Sequence, residues 1–571
     1  MCLRPLLLLF LLLHRSSAAA LPPRSRHFYF SDYSWSAAQQ PSPESIEVSR
    51  PLPFDSLIPS CTLPLLSHSF GNTVGLPATV ADYSPPTDCT WSRAVLQLSA
   101  SCNGSQSDQI AAVWLSGAEL LRTSTPNPTS DGIFWNVRKD VSRYSSLLQK
   151  SNISLAVMLE NAVNGVNDGV YLLNLTFMYY NGAGISNADD TFDFPMSMEV
   201  SNLEDAFSLN ENPADLIVPI SASGGEGFWF KIESESDAIN EQIQVPANTY
   251  RAVIEIYVSF HGNDESWYSN PPNSYIAKNH LLTERGNGAY REIEVKIDGF
   301  SVGSVIPLPV IYSGGINPFF WKPLAPIGAF DLPSYQLELT PILSKLLDSR
   351  SHTFQIQVTD AISYWLVDAN LHLWQDHKST NVLAGGIRYR NPKTRVQRSE
   401  QFRWLDGRAV VQSNRLCEFK GWVSYSGGNF TAAVEHKLVV DNTVEFNRQG
   451  KEKLLKVQVE MRTITKGKFQ SMESSNMEAE AKYYLRSVTS EFPATMARLE
   501  NRVEGRKVRG QWSKDYDNMQ QCRGAASGPA TTYHRYEERD RAGCYRRRVY
   551  ARDGSIASDT TTNPCGGSAA V

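Results

Sequence analysis

The stretch NISLAVMLEN at residues 152–161 decides the fold class of this 571-residue chain. Its largest apolar side chains recur every second residue, and the residues between them fall on the opposite side. Successive side chains of a β-strand point to opposite faces, so this period of two predicts a half-buried strand. Ile153, Leu155, Val157 and Leu159 are expected to face a core, and Glu160 closes the strand on its other face.

The same alternation recurs along the chain at residues 173–179, 250–260, 354–358 and 365–373. Turns rich in Gly, Pro, Asn and Asp separate these runs, which is typical of antiparallel β-sandwiches. Helical signals are sparse, and the best helix candidates are residues 340–347 and 492–503. The sequence therefore predicts an all-β protein made of antiparallel sandwiches.

The length of the chain exceeds what one hydrophobic core usually organises, so we expect several domains. We place sandwiches at 51–200 and 215–376, joined by an acidic connector, with a β-rich region over 377–571 whose tail beyond Gly554 is expected to be mobile. Residues 1–20 carry an arginine, a short apolar run and three alanines, which predicts a cleaved signal peptide. Residues 21–50, rich in Pro, Ser and Arg, are predicted to form an extended lead-in.

The composition, with 20% charged residues and a net charge of −5, is that of an ordinary globular protein and gives no reason to expect nucleic acid as a partner. The signal-like run is too short to cross a bilayer, and no membrane anchor is expected. No cysteine or histidine cluster has zinc spacing, so no metal is expected. Seven cysteines remain after the signal peptide, and sequence leaves their pairing open: bridges Cys89–Cys102 and Cys522–Cys544 are both feasible.

Four N-glycosylation sequons fit a chain that passes through the secretory pathway, because an acceptor asparagine must lie at the surface. The expected destinations are the extracellular space, the cell wall or the vacuole. The acceptor residues are Asn103, Asn152, Asn174 and Asn429.

Carboxylates at the ends of predicted strands are the candidates for chemistry. Asp108 precedes an apolar strand at 110–115, Glu160 ends the strand described above, and Asp264 and Glu265 follow the strand at 250–260. An ionised carboxylate can take a proton from attacking water, and a protonated one can give a proton to a departing amine. Residue types alone therefore suit amide hydrolysis, with Arg291 or a backbone N–H as a donor to the oxyanion.

Two further features need an interpretation. The string GFSVG at 299–303 matches the pattern of a hydrolase nucleophile, but the preceding Asp298-Gly299 pair is a hairpin signal, so we read it as a turn between strands. Most of the 12 tryptophans are expected in the core, whereas Trp267 lies in a polar, turn-rich string that predicts exposure.

Long, ordered strings make the chain resemble the peptide-N4-(N-acetyl-β-glucosaminyl)asparagine amidase A family. Together they fall within about residues 50 to 480. The strings are GAELLRTST at 117–125, GIFW at 132–135, DVSRY at 140–144, HGNDESWYSNPP at 261–272, GGINP at 314–318 and FDLPSY at 330–335.

This resemblance implies hydrolysis of the amide that joins the core GlcNAc of an N-glycan to asparagine, without a cofactor. The implied substrates are N-glycopeptides or unfolded N-glycoproteins. Some members of the family are cut into two chains that stay associated, which the resemblance makes an expectation here too.

More distantly the chain looks like the bacterial F type, which implies two adjacent jelly-roll sandwiches with a site in the cleft between them. That likeness assigns catalysis to Asp108, Glu160 and Glu265. We expect substrate contacts from His261, Asp264, Trp267 and Arg291, with Trp267 and His261 on the core GlcNAc. Where the family reads G-x-Q-F-D-R-I, this chain has GSQSDQI at 104–110, and the loss of the arginine next to Asp108 is expected to raise the pKa of Asp108 or relax its orientation.

Two other functions use the same features. A non-catalytic lectin of jelly-roll fold would bind N-glycans without cutting them, which the glutamine at position 109 favours. A glycosidase would also need two carboxylates, and it would leave a GlcNAc on the asparagine.

Overall fold

The structure, a computed structural model, describes residues 43–128, 132–181, 209, 212–469, 475–490, 496–509, 512–525, 528–540 and 543–562. The chain is mostly β-strand, as the sequence predicts. The predicted signal peptide, the acidic residues of the predicted connector, most of the lead-in and residues 563–571 lie outside the described residues. No helix in the described parts is long and apolar enough to span a bilayer.

The first unit is a sandwich of a five-stranded and a four-stranded sheet. In chain order the strands are β1 (Glu44–Ser45), β2 (Cys61–Phe70), β3 (Thr79–Tyr83), β4 (Arg93–Asn103), β5 (Ile110–Leu115), β6 (Ala118–Ser124), β7 (Ile133–Asp140), β8 (Ile153–Leu159) and β9 (Val170–Tyr180). The sheets have the orders β1-β7-β4-β9-β2 and β3-β8-β5-β6. A 3₁₀ helix at Ser142–Tyr144 and an α-helix at Ser145–Leu148 lie between β7 and β8.

The strands of the second unit are β10 (Leu216–Ile220), β11 (Phe230–Ile232), β12 (Ala238–Gln244), β13 (Thr249–Phe260), β14 (Glu292–Ile297), β15 (Phe300–Val305), β16 (Ser334–Glu338), β17 (Ser351–Thr359) and β18 (Trp365–Gln375). They form a sheet ordered β10-β18-β13-β16, with β11 on β18, and a sheet ordered β12-β17-β14-β15. The helices of this unit are 3₁₀ at Gly224–Glu226, Gly262–Asp264, Trp267–Ser269, Pro318–Trp321 and Thr340–Lys345, and α at Asn273–Lys278.

The two units have one topology. If β1 and β11 are set aside as additions, the order 2-9-4-7 over 3-8-5-6 in the first matches 10-18-13-16 over 12-17-14-15 in the second. This is the strand order of an eight-stranded jelly roll with two sheets. The predicted pair of antiparallel jelly rolls is therefore confirmed.

The third unit is one antiparallel sheet of eleven strands. The strands are β19 (Leu383–Arg390), β20 (Val396–Arg403), β21 (Asp406–Tyr425), β22 (Gly428–Asn447), β23 (Glu452–Phe469), β24 (Ser475–Ser490), β25 (Met496–Arg509), β26 (Trp512–Ala525), β27 (Ala530–Asp540), β28 (Gly543–Arg552) and β29 (Ser555–Thr562). Each strand pairs with its neighbour in sequence, except that β19 and β20 both pair with β21.

This sheet supports the loops of the second roll. Asn442 and Gln520 donate side-chain hydrogen bonds to backbone carbonyls of Ala289 and Ala325, at 2.8 and 2.7 Å. Tyr250 and Tyr425 stack with ring centroids 4.5 Å apart. The sheet therefore belongs to the same packed body as the second roll.

One local prediction is wrong. The candidate helix at 492–503 is strand β25 from Met496 onward, because Leu499 and Val503 share one face of a strand as readily as one face of a helix. Within the predicted lead-in, Glu44–Ser45 pairs in parallel with β7. Residues 555–562 of the tail form β29, and the mobility of the tail stays a prediction.

Strand β8 carries the predicted alternation but is buried on both faces rather than one. Leu155, Val157 and Leu159 face the core of the first roll. Ala156 and Met158, on the other face, join the core of the second roll. The sandwich that contains β8 is thus covered by the second roll, which explains why β5 also reads as an unbroken apolar run, IAAVWL.

A buried polar layer joins the two rolls. The Arg122 guanidinium binds both Glu119 oxygens, at 2.7 and 2.6 Å, and donates to the Leu366 carbonyl at 2.5 Å. Glu255 of the second roll accepts from Arg143 and from Tyr144 of the first, both at 2.8 Å. Buried charges are costly unless they are fully hydrogen-bonded, so this layer fixes how the rolls meet.

Candidate active site at the junction of the two rolls

Asp108 lies at the edge of the first roll, in the loop that leads into β5. Its neighbours are fixed, since the Gln109 N–H donates to Thr125 Oγ1 at 2.9 Å and the Tyr171 hydroxyl donates to the Ser107 carbonyl at 2.9 Å. The Asp108 carboxylate lies against the second roll, where the backbone N–H of Gly314 donates to it. Asp108 therefore reaches across the junction.

Glu160 follows β8 at the same edge of the same sheet, because Leu159 of β8 pairs with Ala111 of β5. The next residue, Asn161, is buried and donates to the carbonyls of Phe70 and Gly169, at 3.1 and 2.9 Å. This anchor fixes the backbone where Glu160 leaves the strand. Asp108 and Glu160 are thus brought to one rim by sheet pairing.

Glu265 comes from the second roll, in the loop that follows β13. The loop is held by Asp264, which is fully buried and makes an ion pair with Arg291 through distances of 2.5 and 2.8 Å. The Trp365 indole N–H and the Ile362 N–H also donate to Asp264, at 2.7 and 3.0 Å. With Asp264 turned inward, Glu265 is left on the side of the junction.

The pKa values of all three carboxyls are raised above their ordinary values. Burial raises the pKa of Asp108 to about 6. Burial, and then the charge of Asp108, raise the pKa of Glu265 to about 7, against the opposing charge of Arg285. Burial also raises the pKa of Glu160, and the positive charge of Lys231 opposes this rise. The charges of Glu160 and Glu265 both act on Tyr364. The structure therefore places Glu265 within electrostatic reach of Asp108 across the junction, and Tyr364 within reach of both Glu160 and Glu265.

Hydrogen bonding separates these carboxyls from the others at the junction. Among the described residues, neither Glu160 nor Glu265 makes a side-chain hydrogen bond, and Asp108 accepts only from the backbone. Asp264 and Glu255, by contrast, each accept several side-chain hydrogen bonds from buried partners. Buried polar groups are normally satisfied, so half-buried acceptors left open are a mark of a functional site.

The expected substrate contacts of Asp264, Arg291 and Trp267 need correction. Trp267 is 0% exposed and packs edge-on against Phe260, so the prediction that it is exposed is wrong. Asp264 and Arg291 are 0% exposed and form an ion pair with each other. Neither side chain therefore has a free surface for a sugar or for an oxyanion. All three shape the loop that carries Glu265 rather than contact a ligand.

His261 lies inside an aromatic stack at the junction. Its ring lies between those of Tyr364 and Tyr312, with centroids 5.2 and 5.8 Å away, and its Nε2 is 2.8 Å from Ser259 Oγ. Burial and the nearby Arg122 lower the pKa of His261 to about 3. The imidazole is therefore neutral at working pH and can act only as a neutral hydrogen-bonding group.

Four junction residues are absent from the sequence-based site: Lys231, Tyr312, Gly314 and Tyr364. Lys231 and Tyr364 lie in stretches without any motif, so the sequence holds no signal for them. Gly314 opens the string GGINP, which carried the resemblance but no assigned role. A Cβ atom built on Gly314 would lie 2.4 Å from Asp108 Oδ1, so a glycine is what lets the carboxylate reach the backbone.

Gln109 stands at the position where the family has arginine, and its side chain forms hydrogen bonds with a residue nearby in sequence. Its Nε2 donates to Ser107 Oγ at 3.0 Å. The raised pKa of Asp108 agrees with the direction expected for a carboxyl without that arginine, although its main cause is burial.

The remaining sequence predictions have mixed outcomes. The asparagines of all four sequons are exposed. Cys61 bridges Cys89, so the predicted Cys89–Cys102 bridge is wrong. The predicted Cys522–Cys544 bridge is also wrong, because Cys522, like Cys102, is free and buried. The GFSVG string is a hairpin turn, with positive φ at Asp298 and Gly299. No cluster of metal-ligating side chains occurs within the described ranges.

Fold and site together define a double-jelly-roll protein with an open acidic site where the rolls meet. The model of the family described as peptide N-acetyl-beta-D-glucosaminyl asparaginase amidase A matches residues 47–392. Peptide-N4-(N-acetyl-beta-glucosaminyl)asparagine amidase A of Prunus dulcis is 40% identical over 409 residues, which cover 71% of this chain and 70% of that protein. This chain belongs to the peptide-N4-(N-acetyl-β-glucosaminyl)asparagine amidase A family.

Solved structures show only a remote likeness. Two crystal forms of PNGF-II align with TM-scores of 0.34 at 10% and 9% identity, over 56% of this chain. The alignments cover 66% and 65% of those chains, slightly less than two thirds.

Proposed function

We propose that this protein hydrolyses the amide bond between the core GlcNAc of an N-glycan and asparagine in glycopeptides or unfolded glycoproteins. The observation that carries this proposal is the set of open carboxyls, two from the first roll and one from the second, that converge on one junction. Membership of the amidase family supports the same reaction. The proton transfers of this reaction can be carried out by side-chain carboxyls together with a water molecule.

The chemistry divides the carboxyls by their protonation. Asp108, when ionised, takes a proton from a water molecule whose oxygen attacks the amide carbon of the glycosylated asparagine. Glu265, when protonated, gives a proton to the amide nitrogen as the carbon–nitrogen bond breaks. The products are an aspartic acid side chain and a glycosylamine. Transfer of a proton from Asp108 back to Glu265 restores the starting state.

Glu160 and His261 are assigned to binding and orientation. Glu160 offers two free acceptor oxygens at the rim, which suit the hydroxyl and acetamido N–H groups of a sugar. The neutral His261 ring is fixed by its aromatic neighbours and adds a hydrogen-bonding nitrogen without adding charge. These two residues account for recognition at the sugar side of the bond.

Digestion of a synthetic N-glycopeptide in heavy-oxygen water tests this function. The expected product is a peptide with aspartate at the former asparagine, carrying one heavy oxygen, together with the complete glycan. Recovery of the intact glycopeptide after long incubation would establish the lectin alternative. A peptide that keeps one GlcNAc on asparagine would establish the glycosidase alternative.

The rate is expected to pass through a maximum between about pH 6 and about pH 7, because the two carboxyls must hold opposite protonation states. Asp108 must be ionised, so kcat/KM rises with pH through about 6. Glu265 must be protonated, so kcat/KM falls through about 7. A profile of kcat/KM against pH measures both limbs, and a rate that stays constant from pH 5 to pH 9 would contradict the assignment of roles.

We further infer passage through the secretory pathway, to the extracellular space, the cell wall or the vacuole. The exposed sequon asparagines and the Cys61–Cys89 bridge support it, because exposed sequons are available for N-glycosylation on that route and disulfides form in its oxidising compartments. Protein from its natural source should lose apparent mass on enzymatic deglycosylation, and an unchanged mass would count against this route. Processing into two associated chains stays a prediction.

A further inference from the structure

Hydrolysis of an amide develops negative charge on the carbonyl oxygen, and this charge needs a hydrogen-bond donor. Arg291 was the side-chain donor that the sequence offered, but its guanidinium is fully buried and committed to Asp264. The donor must therefore be sought among groups that face the open carboxyls. Tyr364, from the second roll, is such a group.

Two side chains contact the Tyr364 ring. His261 stacks on it with a centroid distance of 5.2 Å, and Lys231 Nζ lies over it at 4.6 Å from the ring centroid. The backbone is fixed as well, because Tyr364 and His261 exchange hydrogen bonds between their main chains, at 2.9 and 3.1 Å. A side chain clamped in this way presents its hydroxyl at a defined point, as a preorganised donor requires.

The hydroxyl itself is uncommitted. Within the described parts of the chain it makes no hydrogen bond, and it is not among the oxygens that are both buried and unsatisfied. Tyr364 lies close enough to Glu160 and Glu265 for their charges to act on it, and burial with these charges raises its pKa to about 12. It is thus a protonated donor without a partner in the described residues, within electrostatic reach of a carboxyl of each roll.

We propose that the Tyr364 hydroxyl donates a hydrogen bond to the carbonyl oxygen of the scissile amide and to the oxyanion that forms from it. This inference rests on the proposed function. Tyr364 keeps its proton throughout: the oxyanion returns its electron pair to carbon as the bond to nitrogen breaks, and Glu265 protonates the nitrogen. Lys231 and His261 are positioning residues that hold the ring.

Two neighbours fit this role less well. The Tyr312 hydroxyl oxygen accepts the Phe260 N–H at 3.4 Å, and the residue is only 5% exposed. Lys231 Nζ makes an ion pair with Glu233 Oε1 at 2.7 Å while it covers the Tyr364 ring. Tyr364 is the better donor because its hydroxyl is open.

The test is Tyr364→Phe, measured as kcat and KM on one synthetic glycopeptide. Loss of a donor that acts in the transition state is expected to lower kcat on the order of 100-fold, with KM changed little. Both limbs of the pH profile should stay in place, since the residue transfers no proton. The thermal unfolding midpoint should equal that of the wild type, because the ring and its two contacts remain.

Tyr389→Phe is the matched control, since Tyr389 is an exposed tyrosine on the eleven-stranded sheet, and it should leave kcat unchanged. The proposal would be overturned if the Tyr364→Phe enzyme kept the wild-type kcat, whether or not its KM rose. Lys231→Met, which removes one clamp, should lower kcat by a smaller factor, and this arm remains informative if Tyr364→Phe unfolds. A wild-type protein that cleaves nothing would refute the proposed function instead, before any variant is compared.

Discussion

An Asp108→Asn variant is expected to lose turnover of a glycopeptide by about 10³-fold, because general-base catalysis by a positioned carboxylate contributes on the order of 10² to 10⁴. The change preserves the shape of the side chain and its backbone partners. Only the ability to accept a proton from water is removed. Initial rates of glycan release, compared with wild type at pH 6.5 or so, measure the effect.

The same variant should fold at least as well as wild type. Burial raises the pKa of Asp108 and of Glu265 above the usual value of about 4, so the fold favours their protonated forms. The contribution of these two groups to stability is therefore fully present below about pH 4 and is lost as the pH rises to about 7. Removing the Asp108 charge should leave the unfolding midpoint at pH 8 equal or higher.

The control for activity is Asp82→Asn, which changes an exposed carboxylate of the first roll. Wild-type turnover in Asp108→Asn would remove Asp108 from the mechanism.

A Gly314→Ala variant is expected to lower kcat/KM by 10- to about 100-fold, because small displacements of a catalytic group can cost that much. The new Cβ would lie 2.4 Å from Asp108 Oδ1, closer than such atoms can approach. The backbone of Gly314 does not need a positive φ, so the alanine itself is tolerated and the carboxylate must move. Steady-state kinetics with a thermal melt separate this displacement from unfolding.

Gly71→Ala is its control, since a Cβ there meets nothing within 4 Å, and it should leave kcat/KM unchanged. Wild-type kinetics in Gly314→Ala would mean that the position of Asp108 against the second roll does not matter. The junction would then not be where the reaction occurs.

The sequence predicts much of this architecture because a strand repeats every two residues. The alternation at 173–179 places Asn174 on the exposed face of β9, as found. The three catalytic candidates came from their positions at strand ends together with the family resemblance. Pairing of β5 with β8 then brings Asp108 and Glu160 to one rim of the sheet. No local sequence pattern predicts this pairing.

The errors have a common cause in contacts between distant residues. The string HGNDESWYSN reads as an exposed polar loop, yet Asp264 pairs with Arg291 and receives the indole N–H of Trp365, 101 residues away. Those bonds turn the loop inward and bury Trp267. Tyr364 is missed for the same reason, because its ring contacts Lys231 of β11, a residue distant in sequence.

A crystal structure of Asp108→Asn with an uncleaved glycopeptide tests whether carboxyls from both rolls surround one scissile amide. We expect the amide between position 108 and Glu265, with its carbonyl oxygen at the Tyr364 hydroxyl and the core GlcNAc beside Glu160. A glycopeptide bound away from this junction, or touching the residues of one roll only, would contradict it.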